Sequence, residues 1–163
     1  MQVYLLRHGI AEDAAAGQSD ASRQLTQEGR RKLRQVLDAA AEAGVQPSLI
    51  LSSPLKRALQ TAEIASDVLK YKNEIVRSNA LTPNSSVEEA WDEIRVHRDE
   101  TAIMAVGHNP LFSELAGFLI GSKTAQIDMK KGAILRVDLD SFTPHPKGML
   151  RWYLTHKLAA RSD

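Results

Sequence analysis

The sequence predicts a three-layer α/β/α sandwich with a mostly parallel central sheet and no cap domain. Short apolar runs alternate with amphipathic helical segments along the chain, the pattern of strands joined by crossover helices. Two of those runs are followed within three residues by Ser-Pro or Asn-Pro, both of which signal a helix start. At 163 residues the chain suits one hydrophobic core. A single domain over residues 1–163 is expected, without repeat, linker or low-complexity tract.

Val3–Leu6 is an apolar run fit for a strand buried on both faces. Thr26 caps a helix running to about Ala43, with Leu33, Val36, Leu37 and Ala40 at helical spacing and Gly44 as the stop. Arg30, Arg31, Lys32 and Arg34 fall mostly on its solvent side. Leu49–Leu51 is a second strand, and Ser53-Pro54 caps the helix carrying Leu55, Ala58, Leu59, Ala62, Ala65 and Leu69. Glu74–Val76 predicts a short strand. Ser86 and Glu89 form a capping box opening a helix to about Val96. Ala102–Val106 is the most apolar strand. Asn109-Pro110 repeats the cap-plus-proline signal before a helix ending at Gly121. Ala133–Leu139 and Leu150–His156 read as two late strands.

Composition removes whole classes of function. Twenty-one Lys and Arg oppose 20 Asp and Glu for a formal charge of +1, a balance unlike a dedicated nucleic-acid binder. With no cysteine, the chain has no disulfide, thiolate metal site or cysteine nucleophile. No apolar run reaches the ~18 residues needed to span a bilayer, and the N-terminus lacks a signal-peptide pattern. A cytoplasmic monomer is expected.

In such folds ligands gather beyond the carboxyl ends of the strands, and anions favour the helix N-termini there. Three segments occupy those positions: Arg7-His8-Gly9, Ser52 to Arg57, and Gly107-His108-Asn109-Pro110. If their strands are parallel neighbours, two imidazoles, two guanidiniums and two helix starts converge at one edge. That set suits a dianionic tetrahedral group, because a guanidinium matches phosphoryl oxygens bidentately and stays charged. Gly9 would let the chain turn sharply or approach a ligand, and Asn109 would cap its helix or reach the phosphate. No Asp/Glu/His cluster suggests a metal, and no cofactor is expected.

The same segments carry a resemblance. Leu5-Leu6-Arg7-His8-Gly9, Leu25-Thr26-Gln27-Glu28-Gly29, Ser52-Ser53-Pro54 with Arg57 to Ala62, and Gly107-His108-Asn109 resemble, in order, the motifs of the histidine phosphatase (phosphoglycerate mutase-like) superfamily. The opening Arg7 to Asp13, the short chain and the lack of an insertion between Arg57 and His108 are most similar to the SixA-type phosphohistidine phosphatases. The resemblance implies a phospho-His8 intermediate, with Arg7, Arg57 and His108 binding the phosphoryl oxygens and a backbone carbonyl fixing the His8 tautomer. It also implies that Arg23 is a further phosphate-binding arginine.

One departure from the wider superfamily bears on substrate. Where many members carry a carboxylic general acid, this chain reads Ala80-Leu81-Thr82-Pro83-Asn84. An alkoxide leaving group needs a proton, whereas a phosphorylated imidazole can already carry its own. P–N hydrolysis is therefore expected, unless Glu12 or Asp13 supplies the acid. The expected partner is a phosphohistidine-bearing protein, either a phosphotransfer domain or a carrier of the sugar phosphotransferase system, with the basic Arg30–Arg34 face available to steer it. The rivals are a phosphomonoesterase for a small metabolite and a non-catalytic phosphohistidine-binding module. The latter would have no need of His8.

Overall fold

In a computed structural model that describes residues 1–160, the chain runs β1 (Gln2–Arg7), α1 (Gln27–Glu42), β2 (Leu49–Ser52), α2 (Lys56–Val68), β3 (Val76–Arg77), α3 (Val87–Val96), β4 (Ala102–Gly107), α4 (Leu111–Leu119), β5 (Ile134–Asp138), β6 (Met149–Leu154) and α5 (His156–Ala159). Residues 161–163 of the expected domain lie outside the described residues. The six strands form one sheet in the order β3-β2-β4-β1-β5-β6. β3, β2, β4 and β1 pair in parallel, and β5 and β6 add on in antiparallel fashion.

The period-2 alternation of the strands divides the core in two. Val3, Leu5, Leu49, Leu51, Ile103 and Ala105 face α3 and α4, packing on Trp91, Ile94, Phe112 and Leu115. Tyr4, Leu6, Ile50, Met104 and Val106 face α1 and α2, packing on Leu33, Val36, Leu37, Ala58 and Ala62. Thr26 caps α1 through the Gly29 amide, and Gly44 follows with φ +83°. Ser86 and Glu89 close their capping box. Nothing is inserted between α2 and β4 beyond β3, a 3₁₀ turn (Asn79–Leu81) and α3.

Several boundaries differ from the expectations. The short strand lies at Val76–Arg77 rather than Glu74–Val76. The last strand stops at Leu154, because Thr155 accepts the Leu158 amide and starts a helical turn where a strand was expected. Ser53 does not cap α2. The helix starts at Lys56 from an extended Leu55, and Ser53 faces His108 instead. Pro110, after a cis Asn109–Pro110 peptide, holds the cap position of α4. Among the described residues no helix is long and apolar enough to cross a membrane.

Candidate active site

Sheet order builds the site. β4 lies between β1 and β2, in register Arg7 opposite Gly107 and Ser52 opposite Val106, so the three strands end side by side. The backbone continues the pairing for one more residue: the His8 amide donates to Gly107 O at 2.9 Å and the Ser53 amide to Val106 O at 2.9 Å. His8, Ser53 and His108 therefore leave the sheet together. Gly107 is required where β4 ends, since a Cβ there would lie 2.6 Å from the Phe112 ring.

His8 is buried, and its Nδ1 lies 2.7 Å from Gly9 O. A carbonyl only accepts, so Nδ1 carries the proton and Nε2 keeps its lone pair. Burial is the main cause that pushes the His8 pKa down to about 4. The Gly9 hydrogen bond opposes that shift, while Arg57, Arg7 and Lys131 reinforce it. The ring is neutral at pH 7, so it needs no base to become a nucleophile.

His108 lies beside it, ring centroid to ring centroid 5.1 Å, with its pKa pushed down to about 3 by burial first, then by His8 and Arg57. Its Nε2 lies 2.7 Å from Ser53 Oγ. Ser53 Oγ also accepts the Leu55 amide at 3.3 Å, leaving its own proton for the imidazole. That assigns the remaining His108 proton to Nδ1, a buried atom with no partner.

The guanidiniums complete the pocket. Arg7 donates through Nη1 to Met129 O at 2.7 Å. Arg57, second residue of α2, is buried and donates from Nη1 to Asp20 O and from Nη2 to Asp20 Oδ2. Arg7 Nε and Arg57 Nε, like His108 Nδ1, are buried without a partner among the described residues. Buried donors seldom stay unsatisfied, and three in one place fit an anion acceptor.

Of the expected site residues, the structure brings Arg7, His8, Arg57 and His108 together. Arg23 joins at the rim, its Nη1 on Asp20 Oδ1 at 3.0 Å and its Nε on Glu12 O at 2.7 Å. Gly9 and Asn109 each hold other site elements in place, and Asn109 Nδ2 keeps a second N–H beyond the one it spends on Met129 O. The Gly9 amide donates to Thr61 Oγ1, its carbonyl holds His8, and its φ is not positive, so no sharp glycine turn is involved. Asn109 Nδ2 donates to Met129 O, and its Oδ1 accepts from the Ser113 amide and hydroxyl.

Sequence reasoning missed Asp20, Thr61, the Met129 carbonyl and the second role of Ser53. Thr61 links two site elements, accepting from Gly9 N and donating to Arg57 O. Its sequence signals were a hydroxyl on the apolar stripe of α2 and its place within the Arg57 to Ala62 motif, which gave it no role. Among the described residues, no group of three or more His, Cys, Asp or Glu is placed to hold a metal ion.

A mixed sheet whose parallel strand ends bring together two neutral imidazoles, the buried Arg57 guanidinium and the half-buried Arg7 guanidinium is an arrangement suited to an oxyanion beside a poised histidine. The histidine phosphatase superfamily (branch 1) profile matches residues 3–82. An uncharacterised protein from Picosynechococcus sp. is 32% identical over 137 residues, 83% of each chain. The protein histidine phosphatase SixA, solved with tungstate, superposes with a TM-score of 0.86 at 27% identity, covering 96% of this chain and 98% of its own. The α-ribazole phosphatase from Shigella flexneri shares the fold at a TM-score of 0.74 and 16% identity, covering 99% of this chain and 100% of its own. The chain belongs to the histidine phosphatase superfamily, a superfamily of phosphatases.

Proposed function

We propose that this chain is a metal-independent phosphohistidine phosphatase acting through phospho-His8. The observation that carries the reading is the His8 tautomer: with Nδ1–H on Gly9 O at 2.7 Å, Nε2 is a neutral, unprotonated nucleophile. Nε2 attacks phosphorus in line as the P–N bond to the substrate imidazole breaks. That imidazole departs with the electron pair, its ring already carrying a proton. Water then attacks phospho-His8, and orthophosphate leaves. Arg7, Arg57 and His108 Nδ1–H offset the charge on the transferring group. A bound dianion would also favour the protonated form of His108.

The carboxylates favour P–N over P–O substrates. Asp20, the carboxylate on the site's arginines, has its pKa lowered, chiefly by its hydrogen bond to Arg23, and so stays ionised rather than acting as an acid. The proposed partner is a protein phosphohistidine, on a phosphotransfer domain or a phosphotransferase-system carrier, approaching an uncapped pocket. The test is phosphate release from such a protein beside p-nitrophenyl phosphate and a sugar phosphate, with His8→Ala as control. Release from the P–N substrate alone, abolished in the control, is the expected result. Fast ester cleavage would instead identify a metabolite phosphatase, and stoichiometric binding without turnover a binding module.

A further inference from the structure

Asp20 reaches the site from outside the sheet. Its residue lies in an exposed 3₁₀ turn, Asp20–Ser22, yet its carboxylate bridges two arginines: Oδ2 to Arg57 Nη2 at 3.1 Å and Oδ1 to Arg23 Nη1 at 3.0 Å. Its carbonyl takes Arg57 Nη1 at 2.9 Å, so each terminal nitrogen of Arg57 spends one of its two N–H groups on this residue. Two oxygens on a common atom, each facing a guanidinium, is the arrangement a phosphoryl group would present.

The two partners differ sharply in freedom. The Arg57 side chain is 6% exposed and fixed, whereas the Asp20 side chain is 60% exposed. Rotation about its own side-chain bonds is enough to carry the Asp20 carboxylate into water while the Asp20 carbonyl keeps Arg57 in place. On the phosphoryl-pocket reading Arg57 and Arg23 both serve the transferring group, and the Asp20 carboxylate already lies on Nη2 of one and Nη1 of the other, so the two anions compete for the same pair of guanidiniums.

We propose that Asp20 is an internal competitor that occupies the phosphoryl-oxygen seat of the free enzyme and sets its specificity against small anions. The inference rests on the phosphoryl-pocket reading above. Every anion that enters must displace the carboxylate, so the apparent affinity of each falls by the fraction of molecules in which the seat is open. Orthophosphate, the product, brings no contact beyond the pocket and is held weakly. A phosphoryl group on a protein surface brings contacts outside the pocket and overcomes the penalty. The return of the carboxylate to Arg57 also assists product departure.

The test is calorimetric titration of inorganic phosphate into wild type and Asp20→Asn at mildly alkaline pH, where the ligand is a dianion, with Arg57→Ala as a no-site control. Asp20→Asn keeps the size of the side chain and removes its charge. It is expected to bind phosphate about tenfold tighter, and product inhibition by phosphate should strengthen in parallel. A gain of affinity is not what the loss of a merely structural contact produces. Unchanged or weaker binding by Asp20→Asn would overturn the inference while leaving the pocket intact. Failure of both proteins to bind phosphate would overturn the phosphoryl-pocket reading, and the competitor with it.

Discussion

The imidazoles of His8 and His108 face one another at 5.1 Å, inclined by 55°, with both rings buried and both held neutral. Each is connected on one nitrogen only, His8 Nδ1 to Gly9 O and His108 Nε2 to Ser53 Oγ. The two remaining nitrogens are complementary: a lone pair on His8 and a proton on His108.

This pair sets a pH dependence of stability. Folding lowers the His8 pKa to about 4 and the His108 pKa to about 3, from 6.5 in each case. Between those values and 6.5 the unfolded chain binds more protons, so stability rises with pH through that window and is lost as pH falls through it. The loss is on the order of a few kcal/mol. Urea unfolding at neutral and at mildly acidic pH should show it, and the double variant His8→Asn, His108→Asn should flatten it. Equal slopes in the two proteins would refute the assignment.

Ser53→Ala removes the partner of His108 Nε2 and leaves a buried ring nitrogen unsatisfied. A stability loss of about 1–3 kcal/mol is expected. Because the His108 tautomer is then no longer fixed, kcat should fall about tenfold or more, with KM much less affected. Steady-state kinetics beside denaturant melts separate the two effects.

Gly107→Ala tests the end of β4. The added Cβ would lie 2.6 and 2.7 Å from Phe112 ring atoms and 3.2 Å from Leu81 O, immediately before His108. Overpacking of this kind costs about 1–3 kcal/mol, and activity should drop as His108 shifts. Phe112→Leu in the same chain should restore part of both. The absence of any rescue would place the fault at Leu81 O instead.

Glu12 and Asp13 are exposed side chains beyond the first strand. If P–N cleavage needs no carboxylic acid, Glu12→Gln and Asp13→Asn should each leave phosphohistidine hydrolysis within about twofold of wild type. A loss of about 100-fold in either would name a general acid and reopen ester substrates.

Residues placed by their own strand ends could be read from the sequence. Arg7, His8 and His108 lie at the ends of apolar runs, and the alternation of the pattern implied a largely parallel sheet, while the adjacency of β1, β4 and β2 was a condition that the sheet order met. Asp20 could not be found that way. It lies in a stretch of alanines, serines and glycine with no periodicity, and only the tertiary position of Arg57 turns its carboxylate inward. Ser53 was misread because Ser-Pro is a strong local cap signal, and a partner 55 residues away prevailed over it. Met129 contributes a carbonyl to both Arg7 and Asn109, a role that no side-chain identity encodes. The β5–β6 edge showed in the sequence as two strands, but not as an antiparallel extension of the sheet.

β4 comes late in the chain yet sits at the middle of the parallel strands, bonded to β1 on one side and β2 on the other. During synthesis, β1 and β2 emerge from the ribosome with no edge to share, and the histidine of one stays apart from the arginine that follows the other. Insertion of the central strand brings them together in a single event. A nascent or truncated chain that lacks this strand has its site residues apart, so on the proposed function it is silent until β4 is in place.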